Sequence, residues 1–195
     1  MVARHYQQLA GVAAQSAAAL PFITNAFSSI SNGSQAANGQ YLADPSNGVM
    51  RSSDNGTPSL VTATGAFDIQ LTTPANGYQN NRYLQLWDST GTTSSIYIRA
   101  NGSTTNVATG ASGAYSASGS TSSGAFSTTD SVTIRLTRDA SNNIGAFYSV
   151  NGGAWQIPPA FSAAPISGTM KLGITGTLNT VPGACTLVLR GTGWS

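Results

Sequence analysis

Six carboxylates, one imidazole and one thiol are the whole stock from which acid–base, nucleophilic or metal chemistry could be built in this 195-residue sequence. The carboxylates are all aspartates, Asp44, Asp54, Asp68, Asp88, Asp130 and Asp139, and glutamate is absent. Glycoside hydrolysis needs two carboxyl groups facing one bond, and no two of these aspartates are spaced to share one strand face. The lone histidine, His5, would have to be brought across the molecule to complete a Ser-His-Asp relay. With Cys185 as the only thiol, one Cys and one His fall short of a zinc site. Calcium could be held by Asp88, Asp139 or Asn142, but their spacing matches no calcium loop, and Asp and Asn are also the residues that turns select. Gly102, Gly110 and Gly113 belong to a low-complexity stretch and form no phosphate-binding glycine motif. The expectation is therefore no catalytic residue, no metal, no cofactor and no enzymatic activity.

The aromatic side chains offer a different chemistry. If Leu84, Leu86, Ile96 and Ile98 point to a core, then Tyr83, Trp87, Tyr97 and Arg99 fall on the opposite face of the same strands. Rings set among amide and guanidinium donors are what a sugar stacks on. Trp155, just after Gly152 and Gly153, joins them as a candidate. The stronger expectation is that the face of Tyr83, Trp87, Tyr97 and Arg99 is covered by the N-terminal arm or a neighbouring subunit, because exposed aromatic patches mark interfaces. Trp155 could also simply cap the edge of a core.

What must position these residues is legible in composition. The chain has 26 serines, 23 threonines, 22 glycines and 14 asparagines, with 7% charged residues and a net charge of +2. This is poor in helix formers and rich in strand and turn formers, which predicts an all-β protein. The seven arginines and Lys171 are scattered, so no clustered basic face is available to nucleic acid. High apolar content with little charge is the opposite of a disordered chain. The single cysteine excludes an intrachain disulfide, and in the run Cys185-Thr186-Leu187-Val188-Leu189 it reads as a small buried hydrophobe. No run approaches the ~20 apolar residues of a membrane-spanning helix, so no membrane insertion is expected. Residues 4–20 loosely imitate a secretory leader, but Gln15 and Ser16 interrupt the apolar stretch, and a retained segment is expected.

Apolar residues at Phe67, Ile69 and Leu71, at Leu84 and Leu86, and at Ile96 and Ile98 recur with period two. So do Val132, Ile134 and Leu136; Ala146, Tyr148 and Val150; Met170, Leu172 and Ile174; and Cys185, Leu187 and Leu189. Seven strands follow, with one or two weaker ones expected within residues 102–129, where a structureless loop would be unusually long. The connections 88–91, 139–143 and 151–153 carry the Asp, Asn and Gly of tight turns, so neighbouring strands should run antiparallel. Hiding the apolar faces of so many strands requires two stacked sheets or a barrel, and the sandwich is the simpler solution. Residues 3–19 have the spacing of a short amphipathic helix stopped by Pro21, followed by an apolar-studded extended arm over 22–47. The expected division is residues 1–56 as helix and anchoring arm and residues 57–195 as the sandwich.

Together, the segments Phe67–Leu71, Tyr83–Asp88, Ile96–Ile98, Val132–Asp139 and Ala146–Trp155 resemble a concanavalin A-like or laminin G-like jelly-roll sandwich. The strand ending in Arg138-Asp139, the turn, the second strand and then Gly152-Gly153 before a tryptophan carry most of that likeness. The glycosidases of that group use paired glutamates, which this sequence lacks. The Ala-rich N-terminal stretch, the Ser/Thr/Gly/Asn-rich body and the close Leu189–Ser195 are also similar in style to bacteriophage virion proteins such as capsid decoration or tail appendage subunits. That resemblance implies a non-enzymatic structural subunit of a virion, homotrimeric and bound to other virion proteins. Its arm would be anchored through Tyr6, Leu9, Val12, Phe22, Ile23, Phe27 and Ile30. The alternative is a lectin-like adhesion module that binds host surface glycans.

Overall fold

The structure is a computed structural model that describes residues 20–23, 33–35, 40–43, 61–75, 82–87, 94–101, 106–111, 121–122, 125–158, 161, 165–176 and 186–193. Among them are twelve strands and no helix: β1 (Gly33–Gln35), β2 (Gln40–Ala43), β3 (Val61–Ala63), β4 (Phe67–Thr73), β5 (Arg82–Trp87), β6 (Ser94–Asn101), β7 (Asn106–Ala111), β8 (Thr121–Ser122), β9 (Val132–Arg138), β10 (Ile144–Val150), β11 (Met170–Gly176) and β12 (Thr186–Gly191). They form two six-stranded sheets, the first in the order β1-β2-β12-β4-β9-β10 and the second in the order β3-β11-β5-β6-β7-β8. The named strand pairs are antiparallel throughout.

The alternation in sequence becomes the two-layer core. Phe67, Ile69 and Leu71 from β4 and Val132, Ile134 and Leu136 from β9 form one buried cluster with Leu84 and Leu86 from β5 and Ile98 from β6. Full burial of each such side chain contributes about 2 kcal/mol, which is why register is set by the apolar phase. β7 and β8 are the weak strands expected between residues 102 and 129. The turn after β9 is closed by Asp139, whose Oδ1 accepts from the backbone amides of Ser141 (2.8 Å) and Asn143 (2.9 Å). Asn142 takes the left-handed conformation there (φ 66°) that asparagine tolerates.

The N-terminal region departs from the expected arm. The expected helix over residues 3–19 lies outside the described residues, as do the anchors Tyr6, Leu9, Val12, Phe27 and Ile30. The other two anchors belong to the sandwich itself. Ile23 is buried in its core, and Phe22 pairs with Arg190 of β12. The physical reason is the open edge of β12, whose backbone groups need partners. β2 covers Thr186–Val188, and residues 21–23 cover the rest through Ile23 N–H to Leu189 O (3.0 Å) and Gly191 N–H to Pro21 O (3.0 Å). Residues on both sides of position 56 therefore share one sheet.

One end of the sandwich is latched by Arg138, which shares the inward phase of Ile134 and Leu136 and is 1% exposed. Its guanidinium donates to Gly65 O from Nε (2.9 Å) and Nη2 (2.7 Å) and to Gly168 O from Nη1 (2.9 Å). The Phe67 ring lies 5.6 Å away. Burial lowers its pKa from the ordinary arginine value, and backbone carbonyls offset that loss of hydration. Arg138 thus ties β9 of the first sheet to the chain entering β4 and β11. Replacing it (Arg138→Met) removes the donor shared by part-buried carbonyls on two connections, and the expected result is a loss of about 1–3 kcal/mol in unfolding free energy, read as a lower urea midpoint with unchanged slope.

Candidate functional site

The outer face of the first sheet carries a charge pair that its alternation alone would have left in water. On β9, Arg135 stands opposite Gln70 of β4 and Phe147 of β10. Asp68 lies two residues along β4 from Gln70, diagonal to Arg135 on the same face. The two side chains are 1% and 0% exposed. They meet in a two-pronged contact, Nε to Oδ1 at 2.8 Å and Nη2 to Oδ2 at 2.9 Å. This is the planar fork geometry that arginine offers and lysine does not.

Two rings enclose the same guanidinium, Phe147 at 5.7 Å and Trp155 at 5.1 Å from its central carbon. Gly145 permits the first, because a Cβ there would sit 2.5 Å from the Phe147 ring. The second depends on the turn after β10, in which Asn151 (φ 51°) and Gly152 (φ 69°) are both left-handed. Ser149 Oγ donates to Gly153 O (2.7 Å). The returning chain then pairs Gln156 with Tyr148 through two backbone bonds of 2.8 and 2.9 Å, and the Tyr148 hydroxyl donates to Gln156 Oε1 (2.9 Å). Trp155 is thereby held over Arg135 while remaining 39% exposed.

The five residues expected on one face are divided between two. Trp155 lies over the first sheet. Tyr83, Trp87, Tyr97 and Arg99 are in β5 and β6 of the second, with Tyr83 opposite Arg99 and Tyr97 opposite Gln85. They alternate there with the buried Leu84, Leu86 and Ile98, and their side chains lie outside the described residues. Sequence reasoning missed Asp68 and Phe147 as parts of the Trp155 site. The signal was a carboxylate within an alternating strand, in phase with an arginine on another strand, but pairing between β4 and β9 was not readable.

Every described aspartate is engaged in structure. Asp68 holds Arg135, and Asp139 closes its turn. Asp130 accepts from Ser127 N–H (2.6 Å) and Asn151 Nδ2 (2.7 Å). Among the described residues there is no group of three or more His, Cys, Asp or Glu able to hold a metal, and no helix is long and apolar enough to cross a membrane. His5, Cys185, Asp44, Asp54 and Asp88 lie outside the described residues. With Asp68 and Arg135 paired, the part-exposed Trp155 ring stands over a buried, mutually neutralised ion pair and is available for stacking.

Two outcomes follow. Asp68→Ala takes the carboxylate away from a buried cation and is expected to cost about 3–5 kcal/mol, whereas Asp68→Leu combined with Arg135→Met costs less than the two single changes together, as urea denaturation would show. The amide donors to Asp130, from Ser127 and then Asn151, lower its pKa from 3.8. That contribution to stability is present above 3.8 and is lost as pH falls from there through the lower folded value. The Asp130→Asn protein should therefore show a weaker dependence of melting temperature on pH across that acidic range.

No protein-family model matches the chain, and no curated protein matches it by sequence. Among solved structures, it is similar to the carbohydrate recognition domain of Emp47p, with TM-score 0.45 and 10% identity over 88% of this chain and 94% of that one. It is similar to the Caenorhabditis elegans galectin LEC-6, with TM-score 0.40 and 14% identity over 72% and 94%. It is also similar to the receptor binding domain of botulinum neurotoxin type G, with TM-score 0.43 and 12% identity over 89% and 44%.

Proposed function

We propose that this chain is a non-catalytic, lectin-like module that binds neutral glycans, with the Trp155 ring as the surface on which a sugar stacks. The observation that carries the reading is a large aromatic side chain held in one orientation by a buried ion pair yet open to solvent. A freely rotating surface tryptophan would lose conformational entropy on binding, and this one has lost it already on folding. The ligand class follows from charge. Asp68 and Arg135 cancel beneath the ring, and the chain as a whole is only 7% charged and rich in hydroxyl and amide side chains. Uncharged hydroxyl-rich ligands suit such a surface, with the ring taking their C–H face and nearby polar groups their hydroxyls.

A place in a virion rested on overall composition and on the leading segment. Residues 1–19 of that segment lie outside the described residues, and residues 21–23 are paired within the chain's own sheet. The glycan reading is therefore the one adopted.

On a glycan array, the wild-type protein is expected to retain neutral structures in preference to sulfated or sialylated ones. Trp155→Ala should lower that binding at least about tenfold with the melting temperature little changed. Unchanged binding in that variant, with loss in Trp87→Ala or Tyr97→Ala, would move the site to the second sheet and overturn the assignment.

A further inference from the structure

Trp155 has a counterpart on the same face. Phe22 and Trp155, 40% and 39% exposed, are the two large hydrophobic side chains left exposed among the described residues. Each lies over an arginine of the first sheet, Phe22 with its ring centre 4.0 Å from the guanidinium carbon of Arg190 and Trp155 at 5.1 Å from that of Arg135. Arg190 is directly opposite Asp68 in the register of β12 and β4, and Asp68 grips Arg135 from the other side. Ring, cation, carboxylate, cation and ring thus follow one another across three strands.

From this juxtaposition we infer that Phe22 forms a second sugar-stacking subsite, so that the face takes an extended neutral polysaccharide chain in preference to a single terminal sugar. The inference rests on the Trp155 reading and adds a ligand length to it. β12 and β9 are separated only by β4, which puts the two supporting strands about 10 Å apart. A separation of that order between the two arginine-bearing strands suits consecutive sugars in a chain better than one pyranose ring. Gln70 lies between them on β4, paired with Val188 on one side and Arg135 on the other. It is half-buried; its amide nitrogen is turned to Asp68 at 3.5 Å, and its amide oxygen is the group offered to a hydroxyl between the two rings. The neutral ligand class is carried over from the Trp155 reading, in which Asp68 and Arg135 cancel beneath the ring. Two weak stacking contacts joined by one ligand reinforce each other through effective concentration, so length should convert directly into affinity.

The test is titration calorimetry with β-1,4-linked gluco- and galacto-oligosaccharides, from monosaccharide to hexasaccharide. In the wild-type protein, affinity should rise at least about tenfold along that series. Phe22→Ala and Phe22→Leu should each abolish the rise while leaving monosaccharide binding intact, and Phe22→Tyr should retain it. The leucine variant keeps an apolar side chain against Arg190, so loss of the rise in a protein with an unchanged melting temperature isolates the ring. A rise that persists without the Phe22 ring, or wild-type affinity independent of length, overturns the second subsite while leaving Trp155 untouched. Undiminished binding of every oligomer by Trp155→Ala would instead remove the reading on which it stands.

Discussion

The central constraint is the cost of placing Arg135 and Asp68 out of water on what would otherwise be a solvated sheet face. A guanidinium and a carboxylate can be buried together only when geometry is nearly ideal and the remaining hydrogen-bond capacity is satisfied. The two-pronged contact supplies the geometry. It requires β4 and β9 to lie side by side in one register, and β10 to present Phe147 on the other flank of the arginine. A slip of one residue between β4 and β9 would put the two charges on opposite faces of the sheet, and one between β9 and β10 would part Phe147 from Arg135. The ion pair therefore fixes alignment as well as supporting Trp155.

Arg138 solves a related problem with different means. It is three residues further along β9 and so has the opposite phase, pointing between the sheets. Its partners are main-chain carbonyls instead of a carboxylate. Carbonyls satisfy the donors of a cation without cancelling its charge, which suits the end of the sandwich where two connections must be drawn together. The two arginines show how one strand can serve an outer surface and an inner joint through parity alone.

Parity is also what made much of the fold legible in the sequence. The alternations at 67–71, 132–137, 146–150 and 185–189 marked strands because one face had to be apolar, and the Asp139 turn was readable because its side chain bonds backbone amides locally. The two sheets, and the two weak strands after residue 102, followed from burial and chain length. β1, β2 and β3 were not readable. They are three or four residues long and owe their conformation to the strands beside them, β12 in the case of β2 and β11 in the case of β3. Ile23 was misplaced for the same reason, since an isolated apolar residue in an extended stretch looks alike whether its pocket is on its own subunit or another. Of the candidate site, Trp155 was singled out by its Gly-Gly turn, but Asp68 and Phe147 become its neighbours only through pairings between distant strands.

The sharing of β12 has a kinetic consequence. Its partners are β4, β2 and residues 21–23, and Thr64 bonds to Gly193, 129 residues away. During synthesis, the first sheet stays split until this late strand emerges, and β4 waits with one side unpaired. Such high contact order slows folding, because large loops must be closed before the contacts that reward closure can form.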